Sequence, residues 1–268
     1  MKRLLKWALL LTLTFAFASP LLALQKIDKI AIFTAQVSWT DVATANAAAQ
    51  KIIDNLKITR DINIMSDADI GKFATANTDD GNLDIIITFG WFPTSVYPPG
   101  NAKIEKSVGE LFLEGGDMFI NSADYIFYVS NPNNDAGGLQ NMTDSNFDMW
   151  TDGTVCKPND TGKKYTPSLP ASYNAPRCFR SEQIEANKEW ELEVAFGDNG
   201  ATNSDPAVIH NVDYDGRIAI VFQVGDATPR GEVITQLIDN WLREKVKAQP
   251  VELKDKLSGT WGKIKRDI

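Results

Sequence analysis

Leu83-Asp84-Ile85-Ile86-Ile87-Thr88-Phe89 is the stretch from which the fold is read. It is almost wholly apolar and does not alternate, as a strand covered on both faces should be, and sheets with helices on both faces are typically parallel. Upstream, residues 29–34 (KIAIFT) form a short apolar strand. Residues 41–56 follow, with Val42, Ala45, Ala49, Ile52, Ile53 and Leu56 at helical spacing and Thr40 as N-cap. Residues 62–65 are a second strand, and Ser66 caps a short helix. Downstream, residues 107–114 read as a helix closed by Gly115-Gly116, and residues 118–120 as a fourth strand. Strands alternating with helices imply a parallel sheet with right-handed crossovers.

Further along the pattern changes. Residues 131–180 are dense in Asn, Asp, Gly, Pro and Thr and read as an irregular insertion with short elements. Regular structure returns at 190–196. Residues 207–211 and 217–224 flank Asp213-Tyr214-Asp215-Gly216, a hairpin turn. Pro229 precedes a last helix whose apolar face is Val233, Ile234, Leu237, Ile238, Trp241 and Leu242. Pro250 ends the domain, taken as residues 25–249, and a tail over 250–268 carries Leu257 and Trp261 between charges.

The chain has 268 residues and a net charge of −8, from 27 Lys+Arg against 35 Asp+Glu. An acidic chain without a basic cluster speaks against nucleic acid as partner. One histidine and two cysteines exclude a His-rich metal site and a zinc ribbon, and no cofactor or metal is expected. Lys2, Arg3 and Lys6 precede an apolar run over 7–17. Ala16-Phe17-Ala18 is an A-x-A cleavage site, with Ala23 as a second candidate after Pro20. Residues 1–24 therefore read as a signal peptide, and the protein as secreted or periplasmic. The run is short for a membrane span of roughly 20 residues, so no span is expected after cleavage. In an oxidising compartment Cys156 and Cys178 are expected to form a disulfide that staples the insertion; two free thiols are the alternative.

In parallel sheets, function collects at the carboxyl ends of the strands. The loops there would bring Gln36, Ser38 and Trp39 after the first strand, and Ser66 and Asp67 after the second. After the third come Trp91, Thr94 and Ser95, with Tyr97 beyond. After the fourth comes Asn121-Ser122-Ala123-Asp124-Tyr125, and after the last Gly225-Asp226-Ala227-Thr228. Aromatics mixed with hydroxyls and carboxylates suit a small polar or carbohydrate ligand, which stacks on rings and hydrogen-bonds to acids and amides. The plainer readings are that Trp39 and Trp91 pack on the sheet edge and that Asp67 complements a helix N-terminus.

The strand order resembles the class I glutamine amidotransferase-like fold. So do the Gly115-Gly116 turn before residues 118–120, the sharp turn at Asn121-Ser122-Ala123-Asp124, and the late hairpin with Asp215-Gly216-Arg217. Within that fold the chain looks most like the exported, carbohydrate-associated ThuA-like branch, over about residues 29–245. With the reading of the residues, the expected fold is α/β: a flavodoxin-like sandwich with a mostly parallel sheet, a late antiparallel hairpin and a disulfide-stapled insertion. The resemblance also implies a cysteine on the elbow after strand four and a His and Glu after a late strand. This chain departs on each count. The elbow holds Ser122 or Ala123, the last loop offers Asp226, and the lone histidine, His210, falls inside the hairpin. A Cys-His-Glu triad is excluded by composition. Two catalytic alternatives stay open: Ser122 with His210 as base, and Asp124 with Asp226 as paired acids, with Glu114 or Asp67 nearby. The functions expected are thus a ligand-binding domain, a glycan-directed hydrolase or isomerase, or a structural surface protein. Sequence does not give the oligomeric state.

Overall fold

The computed structural model describes residues 26–99, 106–126, 128–129 and 137–248, all within one compact unit. The expected signal segment over 1–24 and the tail over 250–268 lie outside the described residues. A central seven-stranded sheet is built from β1 (Ile27–Ile32), β2 (Asp61–Ile64), β3 (Leu83–Phe89), β4 (Met118–Ser122), β5 (Trp190–Ala195), β6 (Ala207–Asn211) and β7 (Arg217–Val221). Their spatial order is β5-β6-β7-β4-β3-β1-β2. The pairs β2–β1, β1–β3, β3–β4 and β4–β7 are parallel, and β6 runs antiparallel between β7 and β5.

All seven residues of β3 are buried. Alternation sends Ile85, Ile87 and Phe89 to one face and Ile86 to the other. On the first face lie α1 (Val42–Asn55) and the last helix; on the second lie α2 (Asp67–Asn77) and α3 (Val108–Glu114). Asp41, not Thr40, caps α1: its carboxylate accepts from the Thr44 N–H at 2.8 Å. Ser66 caps α2 as expected, and Ser107 with Glu110 forms a capping box on α3. The last helix buries the expected apolar face but is not uniform. It runs Arg230–Gln236, passes through a π segment at Leu237–Leu242 and continues Arg243–Ala248. Among the described residues, no helix is long and apolar enough to cross a membrane.

The insertion is more ordered than its composition suggests. Val155–Pro158, Tyr173–Asn174 and Phe179–Arg180 join Gly197–Asp198 and Asn203–Ser204 in a second, antiparallel sheet of five short strands. Short helices lie at Gly137–Thr143, Asp160–Tyr165 and Ser181–Glu185. The staple expected inside it is not shown. Cys156 and Cys178 are both buried free thiols, their sulfurs 3.9 Å apart, where a disulfide requires about 2.05 Å.

The hairpin end of the sheet is held by charge. Arg217, wholly buried, donates to both Glu193 oxygens at 2.9 and 3.2 Å, and Lys245 adds a contact to Glu193 at 3.1 Å. His210 sits between Glu191 and Asp215, 3.0 Å from each.

Candidate functional site at the carboxyl edge

The loops that leave the carboxyl ends of β1, β3, β4 and β7 share a backbone feature. Trp39, Gly90, Ala123 and Phe222 have φ of 56°, 83°, 77° and 54°. Left-handed backbone at residues other than glycine costs roughly 1–3 kcal/mol and gathers at functional sites. Ala123 is the turn of the elbow itself; its N–H donates to the Phe222 carbonyl at 2.9 Å. The position that would expose a nucleophile therefore holds a methyl group. Ser122 is the last strand residue, wholly buried, and alternation points it to the same face as Met118 and Ile120. His210 pairs with Arg217, and Arg217 with Met118, at the opposite end of β4 from Ser122. Four strand residues separate the ends, roughly 13 Å. Ser122 and His210 are not a pair.

Asp124, one residue past the elbow, is buried where three loops meet. Its Oδ2 accepts from Ser38 Oγ at 2.5 Å and its Oδ1 from the Tyr125 N–H at 2.6 Å. Burial raises its pKa above the ordinary value, against the pull of those bonds and of Arg177. Asn121 locks the floor: its Oδ1 accepts from Thr88 Oγ1 at 2.7 Å and from the Gly90 N–H at 3.1 Å, and its Nδ2 donates to the Asp124 carbonyl at 2.7 Å. Gly90 is required for the closeness of the loops. A Cβ there would stand 2.7 Å from the Ser38 carbonyl oxygen and 2.8 Å from Asp124 Cβ.

Above this floor, the insertion reaches over the edge. The Arg177 guanidinium lies 5.3 Å from the Trp39 ring centroid and 4.7 Å from that of Trp150. Trp150 in turn stacks on Tyr125, centroids 5.3 Å apart and planes within 5°. The two indoles are 42% and 45% exposed, so the platform presents aromatic surface to solvent beside a buried carboxylate.

Several buried polar atoms in these segments have no hydrogen-bond partner among the described residues: Ser122 Oγ, both amide atoms of Gln223, Thr228 Oγ1, and the Nε of Arg177 and of Arg230. All belong to the ends of β4 and β7 or to the insertion that covers them. Buried polar groups are nearly always satisfied by protein or by ordered water, so these atoms offer hydrogen bonds that water or a polar ligand would take up.

Other expected site residues have local partners. Asp67 Oδ2 accepts from the Thr94 N–H and hydroxyl at 2.9 and 2.8 Å, and its Oδ1 from the Ser95 N–H at 2.8 Å. Burial opposes its charge, but the hydrogen bonds from Ser95 and Thr94 prevail and lower its pKa. This pair clamps the loop after β2 to the loop after β3. Trp91, half-buried, opens a two-residue strand, Trp91–Phe92, parallel to Tyr128–Val129. Asp226 is exposed and accepts from Asn174 Nδ2 at 2.8 Å. Among the described residues, no group of three or more His, Cys, Asp or Glu is arranged to hold a metal ion.

Sequence reading did not find Trp150, Arg177, Gln223 and Arg230. The first two lie in the turn-rich insertion, which has no periodicity to assign a direction to a side chain. Gln223 and Arg230 flank a loop that the sequence placed at the right edge, but only the three-dimensional structure reveals that they are buried.

No family model and no curated protein matches the chain. Among solved structures it is similar to a thua-like protein from Bacteroides uniformis ATCC 8492, with 15% identity and a TM-score of 0.40, over 80% of this chain and 91% of that one.

Proposed function

We propose that this chain is an exported ligand-binding domain on an amidotransferase-like, flavodoxin-like scaffold without the Cys-His-Glu triad, and that it takes a small polar or carbohydrate ligand at the carboxyl edge of the central sheet. The observation that carries this reading is the set of unpartnered buried polar atoms in the segments of that edge, together with two exposed indoles. Rings that stack and polar groups that await partners are what a sugar needs. Ala123 at the elbow speaks against a covalent mechanism. Asp124, with its raised pKa, is the group that a hydrolase would use as its acid, and Asp226 is the candidate for its partner. Export also supplies the oxidant that would join Cys156 to Cys178.

A thermal-shift screen of the mature protein against mono- and disaccharides tests the reading, since a ligand at a hundred times its Kd stabilises by about 2.7 kcal/mol. Trp39→Ala and Asp124→Asn should each weaken a hit by tenfold or more. A hit whose affinity neither substitution changes would place the site elsewhere. Hydrolysis of a glycan that survives in Ala123→Gly and is lost in Asp124→Asn would favour the enzyme.

A further inference from the structure

We propose that the turn after β7, residues 223–230, binds an oxyanion on the ligand, the carboxylate of an acidic sugar or a phosphate, with Arg230 as its cation and Thr228 and Gln223 as hydrogen-bonding partners. The inference rests on the ligand-binding reading above and names the chemistry of the ligand.

Arg230 is buried, and among the described residues it forms no ion pair. Its Nη2 donates to the carbonyls of Val224 and, at 2.9 Å, Asp226, which folds the turn around the guanidinium; its Nε–H has no partner. A buried charge is ordinarily paired, because an unpaired one is costly to desolvate. Two carboxylates act on it from a distance, and each is engaged elsewhere. Asp205 accepts from the N–H groups of Phe222 and Gln223 at 2.7 and 2.8 Å, and burial pushes its pKa up to about 7. Asp226 turns its carboxylate to Asn174. Both carboxylates lower the cost of burying the guanidinium, and among the described residues neither forms an ion pair with it.

The carbonyls of Val224, Asp226 and Thr228 are already bonded to Arg230; the groups of the turn left to donate are the Arg230 Nε–H, the Thr228 hydroxyl and the Gln223 amide. Thr228 shares the turn, its carbonyl accepting from the Arg230 N–H at 2.8 Å while its buried hydroxyl stays unpartnered. Gln223, at 0% exposure, has both amide atoms unpartnered. A guanidinium with an amide and a hydroxyl is the donor set that carboxylates and phosphates take, and charge-assisted bonds of this kind are roughly twice as strong as neutral ones. The turn also adjoins the aromatic platform, because a Cβ on Gly225 would lie 3.3 Å from the Trp39 carbonyl oxygen and 3.7 Å from Trp39 Cβ. An acidic sugar could place its ring on the indole and its carboxylate in the turn.

The test is calorimetric titration of the mature chain with D-glucuronate, inorganic phosphate and D-glucose, at low and at physiological salt. Expected is binding of glucuronate or phosphate at least tenfold tighter than of glucose, weakening as salt rises. Glucuronate alone identifies a carboxylate site, and phosphate alone a phosphate site. Thr228→Val, which keeps the shape and removes the hydroxyl, and Arg230→Lys, which keeps the charge and loses the fork, should each weaken binding about tenfold, with unchanged circular dichroism. Glucose binding as tightly as glucuronate would overturn the oxyanion while leaving the ligand-binding reading intact. Anion binding at full strength in both variants would also overturn it. Failure of all three probes overturns the inference, and the wider sugar screen then judges the ligand-binding reading separately.

Discussion

Gly90 shows how a single residue sets the geometry of the candidate site. Its φ of 83° turns the chain out of β3 just where the loops after β1 and β4 converge. Any side chain would be strained by the backbone and would also press on the Ser38 carbonyl and on Asp124. Gly90→Ala should therefore destabilise by at least about 1–2 kcal/mol, the cost of the left-handed conformation alone, and should disturb the Ser38–Asp124 bond as well. Urea denaturation measures the first effect, and the titration of Asp124 followed by NMR the second. A neutral substitution would show that the three loops are free to part. Ala123 is the converse case, a residue with a Cβ at φ 77° where glycine would be easier. Its strain persists because Phe222 on the neighbouring strand end holds its N–H.

At the scale of elements, the insertion is the informative one. Its strands are two to four residues long; Tyr173–Asn174 pairs with Val155–Pro158 within it, while Val155–Pro158 and Phe179–Arg180 pair with Gly197–Asp198 and Asn203–Ser204, which belong to the connection between β5 and β6. It is clasped to the main sheet where Arg177 lies between Trp39 and Trp150. The two thiols lie side by side within this element, buried against Tyr173 and Phe222. Joining them would close a loop with 22 residues of sequence separation. In the chain-entropy model that gives roughly 3 kcal/mol. On the proposed export, the mature chain unfolded without reductant should show no titratable thiol, and reduction should lower its denaturation midpoint. Two free thiols in the exported form would count against both the bond and the oxidising compartment.

For the molecule as a whole, buried acids make stability depend on pH. Asp84 at the start of β3 is wholly buried, and its Oδ2 has no hydrogen-bond partner among the described residues. Burial raises its pKa from 3.8 to about 6, and that of Asp205 to about 7. A carboxyl whose pKa is higher folded than unfolded stabilises fully below the unfolded value and loses that contribution as pH rises through the folded one. Stability should therefore fall between about pH 4 and pH 7 and then level off. Asp84→Asn keeps the acceptor for the Lys29 N–H, bonded at 2.8 Å, and removes the ionisation. It should leave stability at pH 4 nearly unchanged and raise it at pH 8 by at most about 3 kcal/mol, since one unit is worth 1.36 kcal/mol. Urea midpoints at the two pH values decide this. An equal effect at both would mean that Asp84 is not the titrating group.

The sequence alone determined the alternating elements of the sheet, because hydrophobic period and capping are local. A run such as residues 83–89 has no stable place except between two layers, and Ser66 or Ser107 meets its N–H partners within three residues. It also determined that the loops after β1, β4 and β7 meet at one edge, since parallel strands share a direction. Composition, too, excluded the triad. What only the tertiary structure decided was the state of each side chain at that edge. Asp67 and Thr94 are spent on each other, the elbow turn falls on Ala123 rather than Ser122, and Arg230 is left buried without an ion pair among the described residues. These outcomes depend on contacts between residues far apart in the chain, and no periodicity encodes them. The pairing of the insertion was not legible for the same reason: its strands are too short to show a pattern, and two of them gain partners from residues 197–204.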